Sequence, residues 1–204
     1  MNLVYQCDMH LDFSETAPRD RYKVLTALVV PRPIAWVSTR SLSGRSNIAP
    51  FSFFSVMGSR PPIVAFAPGN KSPGIPKDTA RNILETKEFV VNLVDESTAP
   101  QMVASAEEYP EDVSEIARTN LTEIPSLSIK APRIKESPVS MECSFVQELL
   151  IGENRMIIGE IHHVHVRDGV LDPDSYQLID TSYAPIGRLG SPDYYCRTGD
   201  TFQM

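Results

Sequence analysis

A chain of 204 residues that is 42% hydrophobic and 22% charged has enough apolar content to fold around a sizeable core, and too much to be disordered throughout. Nineteen Lys and Arg against 26 Asp and Glu leave a net charge of −7, which opposes docking on nucleic acid or on an anionic membrane. Cys7, Cys143 and Cys196 stand far apart with no C-x-x-C spacing, which supports neither a disulfide framework nor a cysteine zinc site and suits reduced thiols. The first residues lack a basic stretch followed by an apolar run, and no segment approaches the ~20 apolar residues that span a bilayer, so a cytoplasmic protein is expected. Without an internal repeat or a low-complexity tract, residues 1–204 read as a single domain.

In chain order, Tyr22, Leu25, Leu28 and Val29 have the spacing of a short helix against a core, stopped by Pro31 and Pro33. Residues 34–39 alternate as a strand, with Ile34, Trp36 and Ser38 on one face, and 41–46 form its turn. Residues 47–57 return as an apolar and aromatic run; Pro50, which has no N–H to donate, confines that point to an edge or a bulge. A third strand follows at 63–67. A helix is predicted from Asp78 to Thr86, a strand over 88–94, and helices over 101–109 and 112–118. Residues 122–138 are a proline-punctuated connector, and 141–151 with 156–166 form an antiparallel hairpin across the four residues 152–155. Strands separated by helices without a βαβ rhythm predict a mainly β fold with helical insertions, closed as a barrel.

Three segments carry chemistry. The hydroxyls of Ser38 and Thr39 end a strand before a glycine-bearing turn, where they can bind phosphate or sugar oxygens or simply satisfy local backbone. Residues 47–55 mix small polar side chains with Phe51, Phe53 and Phe54, a mixture that suits a flat heteroaromatic ring with a polar edge and equally suits a buried strand. The loop 69–79 runs into a helix N-terminus beside Lys71 and Lys77, where backbone donors, helix dipole and ammonium together favour a phosphomonoester; an ordinary capped helix is the plainer alternative. On the last long strand, His163 and His165 share one face and His162 takes the other. Two histidines do not complete a metal site, and His165 reads better as structural or as facing the edge of a nicotinamide or flavin ring. No G-x-G-x-x-G follows a strand and no G-x-S-x-G is present, so neither a Rossmann nucleotide fold nor hydrolase chemistry has an anchor.

The motifs Pro31-Arg32-Pro33-Ile34-Ala35-Trp36-Val37-Ser38-Thr39, Asn47-Ile48-Ala49-Pro50-Phe51-Ser52-Phe53-Phe54, Pro61-Pro62-Ile63-Val64, Lys77-Asp78-Thr79 with Asn82, and Phe89-Val90-Val91-Asn92-Leu93 occur in an order and spacing that resembles the flavin reductase-like family. The likeness continues through Ser137-Pro138-Val139, Glu142-Cys143, Gly159-Glu160 and Pro185-Ile186-Gly187-Arg188-Leu189-Gly190, and so covers roughly residues 20 to 195. Arg60 departs from it, standing where an acidic residue is expected. The resemblance implies an FMN-binding split β-barrel, a homodimer with the flavin near the subunit interface, and kinship with the flavin reductase component of nitrilotriacetate monooxygenase. It places Trp36, Ser38 and Thr39 along the ribityl-phosphate, Asn47, Ala49, Ser52 and Ser55 around the isoalloxazine, and Lys77, Asp78 and Thr79 at the phosphate. Arg188 is implied at the phosphate or at a pyridine nucleotide. The expected activity is oxidation of NADH or NADPH by bound FMN, with electrons passed to a partner monooxygenase, a small acceptor or oxygen and no catalytic side chain required. The competing expectation is an FMN-holding electron carrier without a productive nicotinamide site.

Overall fold

Residue alternation in the β-prone runs determines the architecture of this computed structural model, which describes residues 9–107, 115–179, 183–190 and 193–204. Helix α1 (Pro18–Leu28) leads into β1 (Ala35–Arg40), β2 (Ser46–Phe51), β3 (Phe54–Ser59) and β4 (Pro62–Phe66). A small hairpin, β5 (Asn70–Ser72) and β6 (Ile75–Pro76), precedes α2 (Asp78–Thr86) and β7 (Glu88–Asn92). Then come α3 (Ala99–Ala104), α4 (Glu115–Arg118), and the paired β8 (Glu123–Ile124) and β9 (Arg133–Ile134). The long strands β10 (Val139–Ile151) and β11 (Asn154–Val166) follow, and the short pair β12 (Ile186–Arg188) and β13 (Tyr195–Arg197) comes last.

Seven strands form one antiparallel sheet in the order β2-β1-β7-β10-β11-β4-β3. Its two edges, β2 and β3, are consecutive in the chain and joined only by Ser52 and Phe53, so the sheet must curl until the edges meet. Phe51 on β2 accordingly stacks 5.3 Å from Phe66 on β4. This is the mainly β split barrel with helical insertions that the sequence predicts.

β1 shows why two cores exist. Ala35 and Val37 point into the barrel with Phe51, Val64, Phe66, Phe89, Val91, Cys143 and Ile157. The alternate residues Ile34 and Trp36 face outward and are covered, with Ile48 and Ile134, by Met102 of α3 and Ile116 of α4. Pro50 sits inside β2 opposite Trp36, tolerated because β2 is an edge strand. The run 47–57 is thus two strands, because the chain turns at 52–53 to start the opposite edge.

Some expectations need correction. The turn between β10 and β11 is the two residues Gly152 and Glu153, not four: Ile151 pairs with Asn154, and Gly152 takes φ 60, as tight hairpins favour. Helix α1 begins at Pro18 and buries only Thr26, while Tyr22, Leu25 and Leu28 are exposed instead of packed on a core. The end of this segment is held by polar contacts: Arg32 Nη1 donates to the Thr26 carbonyl at 2.7 Å and to the Val29 carbonyl at 3.0 Å. α3 ends at Ala104; of the helices expected over 101–109 and 112–118, residues 108–109 and 112–114 lie outside the described residues, as does Cys7. Cys143 and Cys196 are free thiols, and burial pushes the Cys143 thiol up to about 12, out of reach of thiolate chemistry. No helix among the described residues is long and apolar enough to cross a membrane.

Candidate functional site

The predicted polar cluster forms where α2 points its N-terminus at β2. α2 is amphipathic, with Thr79, Ala80, Asn82 and Ile83 buried, and this face packs on β1 and β2. Two side-chain bridges set its register: Asn82 Nδ2 donates to Thr39 Oγ1 at 3.0 Å, and Asn47 and Thr79 meet at 3.0 Å. Because Thr39 and Asn47 are cross-strand partners, the two bridges lie side by side where α2 meets the sheet. Lys77 occupies the N-cap with no side-chain cap, so the first-turn N–H groups have no side-chain acceptor there.

These groups open onto a cleft of about 210 Å³ lined by Asn47, Ala49, Lys71, Lys77, Asp78, Thr79, Ser105, Ala106, Glu107 and Glu115. Lys71 pairs with Asp78 at 2.8 Å, and Arg81 also pairs with Asp78. Burial would raise the Asp78 carboxyl, but these two cations hold it below its usual range. Lys77 has no ion-pair partner among the described residues. Glu115 faces the same cleft, and its amide neighbour Asn47 satisfies both of its ends when Nδ2 donates to Glu115 Oε1 at 3.1 Å and Oδ1 accepts from the Thr79 hydroxyl at 3.0 Å. Burial, reinforced by the nearby Asp78 charge, lifts the Glu115 carboxyl above its ordinary value.

A second cleft, of about 220 Å³, shares Ala106 with the first and continues along β2. It is lined by Tyr22, Ile34, Pro50, Phe51, Ser52, Met102, Val103, Arg188, Asp193 and Tyr195, an apolar and aromatic wall with a few polar groups. Arg188 is held there by Asp193 at 2.9 Å and by the Tyr195 hydroxyl, with its guanidinium 4.7 Å over the Tyr195 ring. Arg32, only 6% exposed, holds the lining residue Ser52 through its hydroxyl at 3.4 Å and also donates to the Leu189 carbonyl at 2.9 Å.

Of the predicted site residues, Asn47, Ala49, Lys77, Asp78 and Thr79 come together in the first cleft, while Ser52 and Arg188 line the second. Arg188 is therefore not part of the Lys77 group. Trp36, Ser38 and Thr39 line neither cleft: all are fully buried with their polar atoms engaged. Trp36 Nε1 donates to Ser105 Oγ at 2.8 Å, Ser38 Oγ donates to the Pro132 carbonyl at 2.5 Å, and Thr39 accepts from Asn82. The hydroxyls of Ser38 and Thr39 therefore meet neither a cleft nor the local backbone of the turn, but partners brought in from distant parts of the chain. Ser55 is exposed on the edge strand β3, where its hydroxyl donates to the Val56 carbonyl at 3.2 Å. His165 lines neither cleft; its Nε2 meets Glu142 at 2.6 Å, and His162 meets Ser144 at 2.7 Å. Sequence reasoning missed Glu115, Ser105, Met102 and Tyr195, which come from short elements with no motif of their own.

The comparisons with known proteins agree with this fold. The model of the flavin reductase like domain matches residues 27–187. An uncharacterized protein of Aquifex aeolicus is 42% identical over 192 residues, covering 94% of this chain and 97% of its own length. Among solved structures, the 2-nitrobenzoate 2-nitroreductase NbaA of Pseudomonas fluorescens superposes with a TM-score of 0.87 at 34% identity, covering 96% of this chain and 95% of that one. Component B of nitrilotriacetate monooxygenase from Bacillus cereus superposes with a TM-score of 0.92 at 30% identity, covering 98% and 100%.

Proposed function

Because this chain belongs to the flavin reductase-like family, whose domain model spans residues 27–187, we propose that it is an oxidoreductase that binds FMN across the two joined clefts and reduces it with NADH or NADPH. The observation that carries this reading is the pairing of an uncapped α2 N-terminus and Lys77 at one end with an apolar, aromatic wall at the other. That is the polarity of a phosphorylated ring compound, and both ends are built by β2. The residues present therefore fit the group. The α2 first-turn N–H groups and Lys77 would hold its phosphate, Asn47 and Thr79 would offer polar contacts, and the wall of Phe51, Met102 and Tyr195 would hold its ring.

Bound there, the flavin would supply the hydride-accepting chemistry, and the side chains of this chain would contribute position alone. Arg32 ties the end of α1 and the lining residue Ser52 together, Trp36 fixes the end of α3 through Ser105, and the apolar wall excludes water from one side of the cleft. No acid–base pair is needed for such a step, in keeping with a cleft whose Asp78 is neutralised by two cations. The relatives that resemble it include both a nitroreductase and a monooxygenase component, which supports electron delivery to a small acceptor or to a partner oxygenase.

We also infer a homodimer. Leu28 is 75% exposed and Met57 57% exposed, and Tyr22 of α1 contacts Phe53 beside β3 at 6.1 Å, joining the two exposed apolar faces. A surface of this kind suits burial against a second copy, and Tyr22 would carry that contact to the rim of the second cleft.

The visible spectrum of the purified protein, titrated with FMN and then mixed anaerobically with NADH or NADPH, tests the reading. Flavin that binds and bleaches supports it. Flavin that binds but stays oxidised with both nucleotides replaces it with an electron carrier, and absence of flavin binding removes it.

A further inference from the structure

Glu115 is an unexpected neighbour for a phosphate. Two lysines in the first cleft, Lys71 and Lys77, face three carboxyl groups, those of Asp78, Glu107 and Glu115. Asp78 is spoken for by Lys71 and Arg81. Glu107 is exposed to solvent, which screens it. Glu115 is the half-buried one, and its Oε1 is fixed in the cleft by the Asn47 amide. The Ile48 N–H and its own N–H also bond the Glu115 carboxyl, and among the described residues the charged groups around it are few. β2, which packs on α4, brings only uncharged residues; α2 and its cap bring Lys77, Asp78 and Arg81; β5 brings Lys71; and α4 itself adds the exposed Arg118.

A dianion entering this cleft would therefore meet a second negative charge with little water between them, which is costly unless the carboxyl is neutral. We propose that Glu115 sets the charge preference of the cleft: ionised, it repels a phosphomonoester, and neutral, it offers an O–H donor, so that FMN binding takes up a proton at Glu115. This rests on the flavin-phosphate reading of the cleft. The raised carboxyl of Glu115 agrees with it, because burial has already made the proton easier to add. Affinity for FMN should fall as rising pH ionises Glu115, opposing the gain that the phosphate's second ionisation brings at a cationic site. Affinity for riboflavin, which has no phosphate, should not.

The test is calorimetric titration of the protein with FMN and with riboflavin between pH 5 and 8.5, in two buffers of different ionisation enthalpy, for the wild type and Glu115→Gln. The second phosphate ionisation lies near pH ~6, so protons taken up by the wild type in excess of the variant belong to Glu115. The expected result is excess uptake with FMN and none with riboflavin, and a variant that binds FMN about tenfold more tightly at pH 8 while matching the wild type near pH 5. Equal proton counts and equal affinities overturn the inference and leave FMN binding intact, as does a variant that binds FMN more weakly at every pH. If neither flavin binds at any pH, the reading of the cleft falls as well.

Discussion

His165 Nε2 lies 2.6 Å from Oε1 of Glu142, a carboxylate with no solvent exposure near the start of β10. The same oxygen accepts from the Leu127 N–H at 2.7 Å, and Oε2 accepts from the Ser128 N–H and hydroxyl, both at 2.9 Å. Burial alone would raise this carboxyl, but the Leu127 and Ser128 N–H groups, His165 and the Ser128 hydroxyl outweigh it and hold it down to about 2. The buried charge thus ties the connector 122–138 to the barrel wall.

A pKa of about 2 in the fold against about 4.5 in the unfolded chain makes the ionised Glu142 stabilising by about 3 kcal/mol. The sign follows from a depressed carboxylate: the contribution is complete above pH ~4.5 and is lost as pH falls toward 2. Glu142→Gln should therefore lower the urea-derived unfolding free energy by about 2–4 kcal/mol at pH 7, because an amide N–H₂ would face the backbone donors. The gap between variant and wild type should narrow at pH 3. A gap that is unchanged between pH 7 and pH 3 would show that the charge is not the stabilising feature.

This anchoring also explains what could and could not be read from the sequence. β1, β4, β7 and the β10–β11 pair were legible because alternation and turn residues act locally, and the α2 start was legible from its polar first turn. The connector was not, because its backbone is satisfied by distant side chains: Glu142 takes Leu127 and Ser128, Glu88 takes Lys130 and Ala131, and Asn92 takes Ile134. The same applies to the site. Lys77, Asp78 and Thr79 announce themselves in one stretch, whereas Glu115 and Tyr195 reach the clefts only through tertiary packing. Ser38 and Thr39 misled for the opposite reason: a hydroxyl at a strand end looks the same whether it will meet a ligand or, as with Ser38 and Pro132, a buried carbonyl.

Gly159 on β11 makes a second prediction about the barrel. A Cβ placed there would stand 2.3 Å from Cζ of Phe89 and 3.1 Å from the Ser144 carbonyl, and Phe89 is fully buried against Phe66. Gly159→Ala should cost about 1–3 kcal/mol through overpacking. Phe89→Leu should itself destabilise, yet the double variant should be more stable than the sum of the two losses implies, because the shorter side chain vacates the contact. Thermal unfolding of the four proteins checks this, and strict additivity would mean that Phe89 is not the obstacle.

At the phosphate end, Lys77 and Lys71 should behave differently although both line the cleft. Lys77→Ala removes a cation that has no ion-pair partner among the described residues, so FMN binding should weaken by about 1.5–3 kcal/mol, as for a charged hydrogen bond, while riboflavin binding stays level. Lys71→Ala removes half of an ion pair and leaves Asp78 with Arg81, so its effect should be smaller for FMN. Flavin fluorescence titrations separate the cases. Equal losses for FMN and riboflavin in Lys77→Ala would place the phosphate elsewhere.

The exposed apolar face gives the last prediction. Leu28 closes α1 with most of its side chain in solvent, and replacing it removes little packing within the single chain. Leu28→Asp should therefore leave the unfolding temperature at high dilution within about 2 °C of wild type, since surface substitutions shift stability little. In an interface between two copies, the same aspartate would be desolvated opposite apolar partners, a penalty large enough to shift a dimer toward monomer at micromolar concentration. Light scattering during size-exclusion chromatography reads the mass directly. Wild type at twice the chain mass and Leu28→Asp at one chain mass would place α1 in the contact. A dimer that persists in the variant would move the interface off this face, and the rim residue Tyr22 would then be open to substrate instead of to a partner subunit.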